Sequence, residues 1–437
     1  MEESRARALS DRLRDLSRPF HVVGLGSFGG NIELVRFLTG LGGSVVLHEA
    51  KTHADLEDSW EALGAARERV EARWSEALPE LPAGDLAFLS PAVPPQHVCL
   101  KGRNDALIST EIEIALLLLA ERGSTAHVVT GSVGKSTTAS LLARALGVEV
   151  FGNIGRSVLE LHPNLPGELV LELSSFQLHY LRPLRFTPSS WLLTLVDGHH
   201  GDWHGGEEAY RRAKLDWIEA WSPDVPGVSM AEPATHGRVR FDGKNLSVAG
   251  LLEPSDLERR FKLIGGHNRL NLTTALRLVD RLDILDAASL ERALSFSGLP
   301  HRLECVATPH GCRFVNDSKA TAPAAVLPAL EAMRHGGVLI LQGVDKQQDF
   351  TAIFARAKEQ RLRVYALGQL GARFARERPR QLTGHFSTLD DLFAAVDFAG
   401  FRDTDVFFSP GAPSYDGYRN YEQRGDHFKA LARALLS

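Results

Sequence analysis

At 437 residues the chain is too long for a single hydrophobic core, and roughly two to four domains are expected. Its 44% hydrophobic and 24% charged residues are ordinary for a soluble globular protein, and a net charge of −5 gives no general support for binding nucleic acid or a membrane surface. Cys99, Cys305 and Cys312 lack CxxC spacing and read as reduced thiols. The charged N-terminus has no signal-type apolar stretch, and the most apolar run, residues 114–120, is too short to span a bilayer, so a cytoplasmic protein is expected.

A strand over residues 21–23 leads into Gly24-Leu25-Gly26-Ser27-Phe28-Gly29 and a helix through Leu34, Phe37 and Leu38. A second strand, 44–47, runs toward Glu49, placed where the GxGxxG dinucleotide pattern has its ribose-binding acid. Alone this pattern leaves three readings open: an NAD(H) site, another nucleotide diphosphate, or a plain turn. A charged helical stretch is expected to continue to Ala77, followed by a strand at 86–89. Pro91, Pro94 and Pro95 then break the pattern and set a domain boundary near residue 95.

Thr110 and Glu113 have capping-box spacing and predict the start of a helix. The apolar strand 126–129 then runs into Gly131-Ser132-Val133-Gly134-Lys135-Ser136-Thr137, followed by a helix with Ala139, Leu141, Leu142 and Leu146 at core spacing. Glycine lets backbone N–H groups surround an anion at a helix N-terminus, Lys135 can reach outer phosphates, and the Ser136 hydroxyl can enter a Mg²⁺ shell. An ATP-type phosphate site is the better reading against an ordinary glycine turn. Gly152-Asn153-Ile154-Gly155 is a further polar glycine turn. Glu172 lies inside the apolar strand 168–173, where a carboxylate is costly unless a cation or backbone amides meet it.

Strand 190–195 precedes Asp197-Gly198-His199-His200-Gly201-Asp202-Trp203-His204. His200 and His204 have helical ligand spacing, but the surrounding glycines argue for a loop and nothing completes a zinc site. The amphipathic segment 207–221 sets Tyr210 and Lys214 one turn apart, and Lys214 taken alone reads as a solvated lysine. A further helix opens at Gly265-Gly266-His267-Asn268-Arg269-Leu270-Asn271. From about residue 300 strands and helices alternate, which predicts a mainly parallel α/β domain. Its polar motifs follow strands: 316–321, 343–350 and 409–416, where such sheets bind ligands.

Taken together these motifs resemble the Mur ligases, the ATP-dependent amide-forming enzymes of peptidoglycan precursor synthesis. GNIG at 152–155, LELSSFQL at 171–178, HNRLN at 267–271, PHRLE at 300–304, NDSKAT at 316–321 and the segment SP…SYDGYRNYEQRGDHF at 409–428 carry the resemblance. It implies three α/β domains: a Rossmann-like UDP-substrate domain (1–95), a P-loop ATPase-type domain (96–299) and a Rossmann-like amino-acid-binding domain (300–437). Within the family the likeness is to the branch that joins D-glutamate to UDP-N-acetylmuramoyl-L-alanine through an acyl phosphate, releasing ADP and phosphate.

The resemblance also implies roles. Ser136, Glu172, His200 and a carbamylated Lys214 would hold two Mg²⁺, and Lys135, Lys214, His200 and Glu172 would be the catalytic set. Gly131, Gly134, Lys135, Ser136, Thr137, Asn271, Arg302 and Asp317 would bind ATP. Gly26, Ser27, Phe28, Glu49 and Asn153 would bind the UDP substrate, which disposes of most of the NAD reading. Lys319, Thr321, Lys346, Ser414, Tyr415 and Tyr421 would hold D-glutamate. A monomer without nucleic-acid or membrane partners is expected. The chain departs from the family at Val133 (GSVGKST for GTNGKST), His199 (for Asp), Ala322 (for Asn), Glu49 (for the frequent Asp) and QGVDK at 342–346 (for GGDGK). Three alternatives stay open: a sister ligase adding L-glutamate or another amino acid, a nucleotide-sugar-binding regulator without turnover, and a Rossmann oxidoreductase.

Overall fold

The computed structural model describes residues 3–26, 30–75, 85–94, 107–154, 156–196, 201–221, 224–233, 237–243 and 245–436. They form two compact units. One comprises Met1–Asp242, Ser247–Leu251 and Asn271–Ala293; the other comprises Gly243–Leu246, Leu252–Leu270 and Leu294–Ser437.

The first unit holds two five-stranded parallel sheets. The strands β1 (Phe20–Val23), β2 (Val45–Glu49), β3 (Val70–Trp74), β4 (Leu86–Leu89) and β5 (Leu107–Ser109) lie in the order β3-β2-β1-β4-β5. The strands β6 (Thr125–Thr130), β7 (Val150–Gly152), β8 (Glu168–Glu172), β9 (Ser190–Leu193) and β10 (Gly227–Ser229) lie in the order β10-β9-β6-β8-β7. Strands such as Phe20–Val23 and Ser190–Leu193 are buried at every position, as parallel sheets covered on both faces require. One apolar core runs through both sheets, joining Phe20, Leu38 and Phe88 to Val128, Leu171 and Trp217. The helix Glu111–Arg122 contributes Ile112, Ile114, Leu116 and Leu119 to it.

The expected long helix after Glu49 is instead two 3₁₀ turns flanking the short helix Glu57–Ala62, and then β3. Gly64 adopts φ 58°, outside the α-helical range, and the next residues alternate. Val70, Ala72 and Trp74 pack on the core, while Glu71 and Arg73 pair outside it. Five alternating residues were hidden within a charged run. The predicted capping box is not formed either. Thr110 precedes the helix without a side-chain cap, and the Glu113 carboxylate accepts from Arg5 Nε (2.5 Å), Arg5 Nη2 (2.9 Å) and the Ser109 hydroxyl (2.7 Å). A guanidinium from the N-terminal helix outcompetes a neutral backbone amide for a buried carboxylate. Gly201–His204 is a short helix rather than loop.

A small hairpin, β11 (Val239–Phe241) with β12 (Leu246–Val248), follows. The second unit is built on a six-stranded sheet: β13 (Glu304–Ala307), β14 (Arg313–Asn316), β15 (Val338–Gln342), β16 (Arg363–Leu367), β17 (Gly384–Phe386) and β18 (Asp405–Gly411). The order is β13-β14-β18-β15-β16-β17, with only β13 antiparallel among these paired strands. Three mainly parallel α/β sheets are the expected class. Among the described residues no helix is long and apolar enough to cross a membrane.

Candidate active site

In the second sheet β6 lies between β8 and β9, while the chain reaches β8 by way of the edge strand β7. The strand order therefore reverses at β6, which opens a crevice at the carboxyl ends of the strands. Val129 is in register with Glu172, so the glycine loop after β6 and the carboxylate ending β8 leave the sheet side by side.

The loop needs its glycines. Gly131 has φ 141°, and a Cβ there would lie 2.0 Å from the Thr194 hydroxyl oxygen. Gly134 has φ 88°, and a Cβ would lie 2.6 Å from Asn271 Oδ1. The helix Lys135–Leu146 starts directly after it, placing Ser136 and Thr137, both half-buried, in the first turn. Lys135 Nζ donates to the Ser132 carbonyl (2.9 Å), and the Ser132 and Tyr210 hydroxyls are 2.6 Å apart. Ser132 N and Val133 N both donate to the Leu195 carbonyl, and the Val133 side chain is exposed. Asn271, buried on the helix Gly266–Arg281, accepts from the Thr138 hydroxyl (3.2 Å).

Lys214 departs most from its isolated reading. It lies on the helix Glu207–Trp221 and is 1% exposed. Burial, reinforced by the nearby Lys135 and offset in part by Glu172, brings its ammonium from 10.5 down to about 6. Its Nζ lies 5.0 Å from the centre of the Tyr210 ring. Glu172 is fully buried; Oε1 accepts from Asn153 Nδ2 (2.8 Å), and Oε2 has no hydrogen-bond partner among the described residues. An unpartnered buried carboxylate oxygen beside a neutralised amine suits a hard divalent cation, which takes oxygen donors. Glu172, the Ser136 hydroxyl and a carbamate formed on Lys214 fit Mg²⁺ by donor type. His200, like its neighbour His199, lies outside the described residues. Among the described residues no group of three His, Cys, Asp or Glu side chains is placed to hold a metal.

At the first sheet, Gly24 and Gly26 take φ 78° and 73°. Glu49 is buried and accepts from the backbone N–H groups of Leu25 (2.8 Å) and Lys51 (3.1 Å). Its carboxylate thus shapes the glycine turn directly. Ser27 and Phe28 lie outside the described residues.

In the second unit Asp317 directly follows β14 and is buried, accepting from the Leu303 N–H (3.2 Å) and the Ser409 hydroxyl (2.6 Å). Burial outweighs these bonds and the Arg302 charge and pushes its carboxyl up to about 7. Arg302 itself is exposed. The exposed Lys319 has its Nζ 5.1 Å from the centre of the Tyr421 ring, while Thr321 is half-buried. Ser414 is buried, whereas Lys346 and Tyr415 are exposed. Val344 N donates to the Pro413 carbonyl (2.9 Å), which ties the Lys346 loop to the Ser414 loop.

Arg424, which the sequence reading quotes within a motif but leaves without a role, ties these loops together. It is fully buried and donates to the Ser318 hydroxyl (3.0 Å) and to the carbonyls of Ser318 (2.9 Å), Gln342 (3.3 Å) and Ala412 (3.0 Å). Its place one turn before Phe428, on the buried face of the helix Tyr421–Ala434, was the available signal. Thr194 was missed as well, and no pattern marks it.

No protein-family model matches the chain. Among curated proteins it is 33% identical over 378 residues to the UDP-N-acetylmuramoylalanine–D-glutamate ligase of Yersinia pseudotuberculosis, covering 80% of this chain and 85% of that protein. The ligase of the same name from Escherichia coli O6:H1 is 32% identical over 378 residues, covering 81% and 86%. Among solved structures, the UDP-N-acetylmuramate–alanine ligase MurC of Thermotoga maritima matches with a TM-score of 0.57 at 16% identity, covering 96% of this chain and 98% of that one. The MurF ligase of Thermotoga maritima in complex with ADP matches with a TM-score of 0.51 at 16% identity, covering 90% and 95%. With the fold shared by solved Mur ligases and a third of its residues shared with named relatives over four-fifths of its length, the chain belongs to the Mur ligase family, in the branch of the UDP-N-acetylmuramoylalanine–D-glutamate ligases.

Proposed function

We propose that this chain is the ADP-forming ligase that joins D-glutamate to UDP-N-acetylmuramoyl-L-alanine, through an acyl phosphate, in cytoplasmic peptidoglycan precursor synthesis. The observation that carries the reading is the buried pair of Glu172 and Lys214 beside the half-buried Lys135 at the glycine-loop crevice. A lysine held near neutrality there has no use as a surface charge. As a neutral amine it can take up CO₂ and offer oxygen donors.

The chemistry follows from charge. A carboxylate resists attack by an amine until its oxygen becomes a leaving group, so the γ-phosphoryl of ATP is transferred to it first. That transfer brings two anions together, and Lys135 with the helix N-terminus of Lys135–Leu146 supplies positive potential where charge develops. Two Mg²⁺, held by Ser136, Glu172, His200 and carbamylated Lys214, would neutralise phosphate charge when bound. Asn271, Arg302 and Asp317 hold the nucleotide, and Gly26, Ser27, Phe28, Glu49 and Asn153 hold the UDP substrate. The amine of D-glutamate then attacks the acyl phosphate, a new C–N bond forms, and phosphate departs with the C–O bond electrons. Lys319, Thr321, Lys346, Ser414, Tyr415 and Tyr421 hold D-glutamate, whose two carboxylates need cations and donors once desolvated. The proposed domains are 1–95 for the UDP substrate, 96–299 for ATP and 300–437 for the amino acid.

The test is phosphate release with UDP-N-acetylmuramoyl-L-alanine, ATP, Mg²⁺ and a panel of D- and L-amino acids. Selective turnover with D-glutamate supports the reading. Preference for L-glutamate or another amino acid would make the chain a sister ligase. UDP-substrate binding without any turnover would make it a regulator.

A further inference from the structure

The strand β15 ends at Gln342, in the QGVDK segment that leads to Lys346. Gln342 is 3% exposed, and its side chain faces Tyr418. The Tyr418 hydroxyl lies 2.8 Å from His427 Nδ1, and His427 Nε2 lies 3.3 Å from the Asp390 carboxylate. Donors and acceptors alternate along this line only one way with a neutral imidazole. The phenol donates to Nδ1, and Nε2–H to Asp390.

Gln342 Oε1 is buried without a hydrogen-bond partner among the described residues. The other charged groups facing Tyr418 are Asp416 and Arg424. The Asp416 carboxylate packs against Gly368, where a Cβ would lie 2.5 Å from Oδ2, and burial pushes its carboxyl up.

The line bears on two loops assigned above to D-glutamate, the Ser414 turn directly and the Lys346 loop through Pro413. Tyr418 N donates to the Ser414 carbonyl (3.2 Å), closing the turn that presents Ser414. Gln342 begins the loop that carries Lys346, which Val344 N fastens to Pro413. Between Ser414 and Tyr418 the turn has little apolar anchoring: Tyr415 is 69% exposed and Gly417 takes φ 144°. The turn is anchored at Tyr418, whose ring packs on the cluster that includes Phe428 and whose hydroxyl bond to His427 sets its orientation.

We propose that Tyr418 and His427 are positioning residues for the amino-acid substrate: the Tyr418–His427–Asp390 line holds the Ser414 turn, and through the Val344–Pro413 bond the Lys346 loop, at the separation that a dicarboxylic amino acid requires. This rests on the D-glutamate site proposed above. Neither residue is among those assigned to the substrate, so their effect is selective for the geometry of that site.

The test uses the full chain and steady-state phosphate release, with D-glutamate and ATP varied in turn. Tyr418→Phe and His427→Ala are each expected to raise the KM for D-glutamate about tenfold, the size of one net hydrogen bond. The ATP KM should stay within about twofold. The double variant should be no worse than either single one, because both remove the same bond. His427→Asn, which keeps an acceptor at the Nδ1 position, should return the D-glutamate KM to within about threefold of the unmodified chain.

An unchanged D-glutamate KM in both single variants, or an equal rise in the ATP KM, overturns the proposal. Should Tyr418→Phe fail to fold, the comparison of His427→Ala with His427→Asn decides alone. Lys346→Ala separates the two levels. If it raises the D-glutamate KM while Tyr418→Phe does not, only the positioning role falls; if Lys346→Ala leaves that KM unchanged, the pocket itself is misassigned.

Discussion

Replacing Lys214 with methionine should make the protein more stable and inactive at once. The two side chains have similar length, but methionine carries no amine. In the folded chain the Lys214 ammonium is brought from 10.5 to about 6, chiefly by burial. In the unfolded chain the amine holds its proton up to the ordinary lysine range. Folding at pH 7 therefore removes a proton from an ordinary lysine, at about 1.4 kcal/mol per pH unit, or about 5 kcal/mol as an upper bound. The sign follows from proton counts. Between about 6 and 10.5 the unfolded state binds the extra proton, so stability rises with pH across that window. Below about 6 both states hold the proton, and the penalty stands at its full value.

Lys214→Met removes this slope and leaves the packing. In CO₂-free buffer without Mg²⁺, its urea midpoint at pH 7 should exceed that of the unmodified chain by the equivalent of a few kcal/mol. The gap should narrow steadily toward pH 10. Phosphate release should fall at least about a hundredfold, as expected where a destabilised residue serves function. A variant less stable than the unmodified chain at pH 7, a gap that does not narrow with pH, or retained turnover would each refute the reasoning.

Three further outcomes are expected. Arg5→Ala strands the fully buried Glu113 carboxylate with the Ser109 hydroxyl as its remaining side-chain donor, and should cost about 3 kcal/mol in urea unfolding; adding Glu113→Gln should recover part of it. Gly131→Ala forces a Cβ to within 2.0 Å of the Thr194 hydroxyl at φ 141°, so ATP-dependent phosphate release should drop about a hundredfold or more. Asp317 has its carboxyl raised to about 7, so it is an anionic acceptor above that pH and a neutral acid below it. The ATP KM should accordingly rise as pH falls from about 8 to 6, and Asp317→Asn should flatten the profile; a profile unchanged by Asp317→Asn would remove Asp317 from the nucleotide site.

The sequence by itself determined the parts whose signal is local. Gly131, Gly134 and Lys135 mark the glycine turn into the helix because backbone conformation and helix start are written in adjacent residues. The strand 86–89 and the strand–helix alternation after residue 300 were legible because continuous apolar runs bounded by breakers have few other readings. The proposed role of the loops at 316–321, 343–350 and 409–416 rests on the resemblance, carried by residue types in fixed order.

Tertiary structure decided what depends on partners distant in the chain. Lys214 reads as a solvated lysine from its own helix, and only the surrounding core and the nearby Lys135, against the pull of Glu172, turn it into a near-neutral amine. Glu113 has the spacing of a capping box, yet Arg5, 108 residues away, takes its carboxylate. The strand Val70–Trp74 was masked by its charges until its apolar half met the core. Arg424 became intelligible only when three loops were seen to converge on one guanidinium. Local steric rules act over a few residues and survive in the sequence. Desolvation and charge pairing depend on which surfaces meet, and the sequence records those meetings only after the chain has folded.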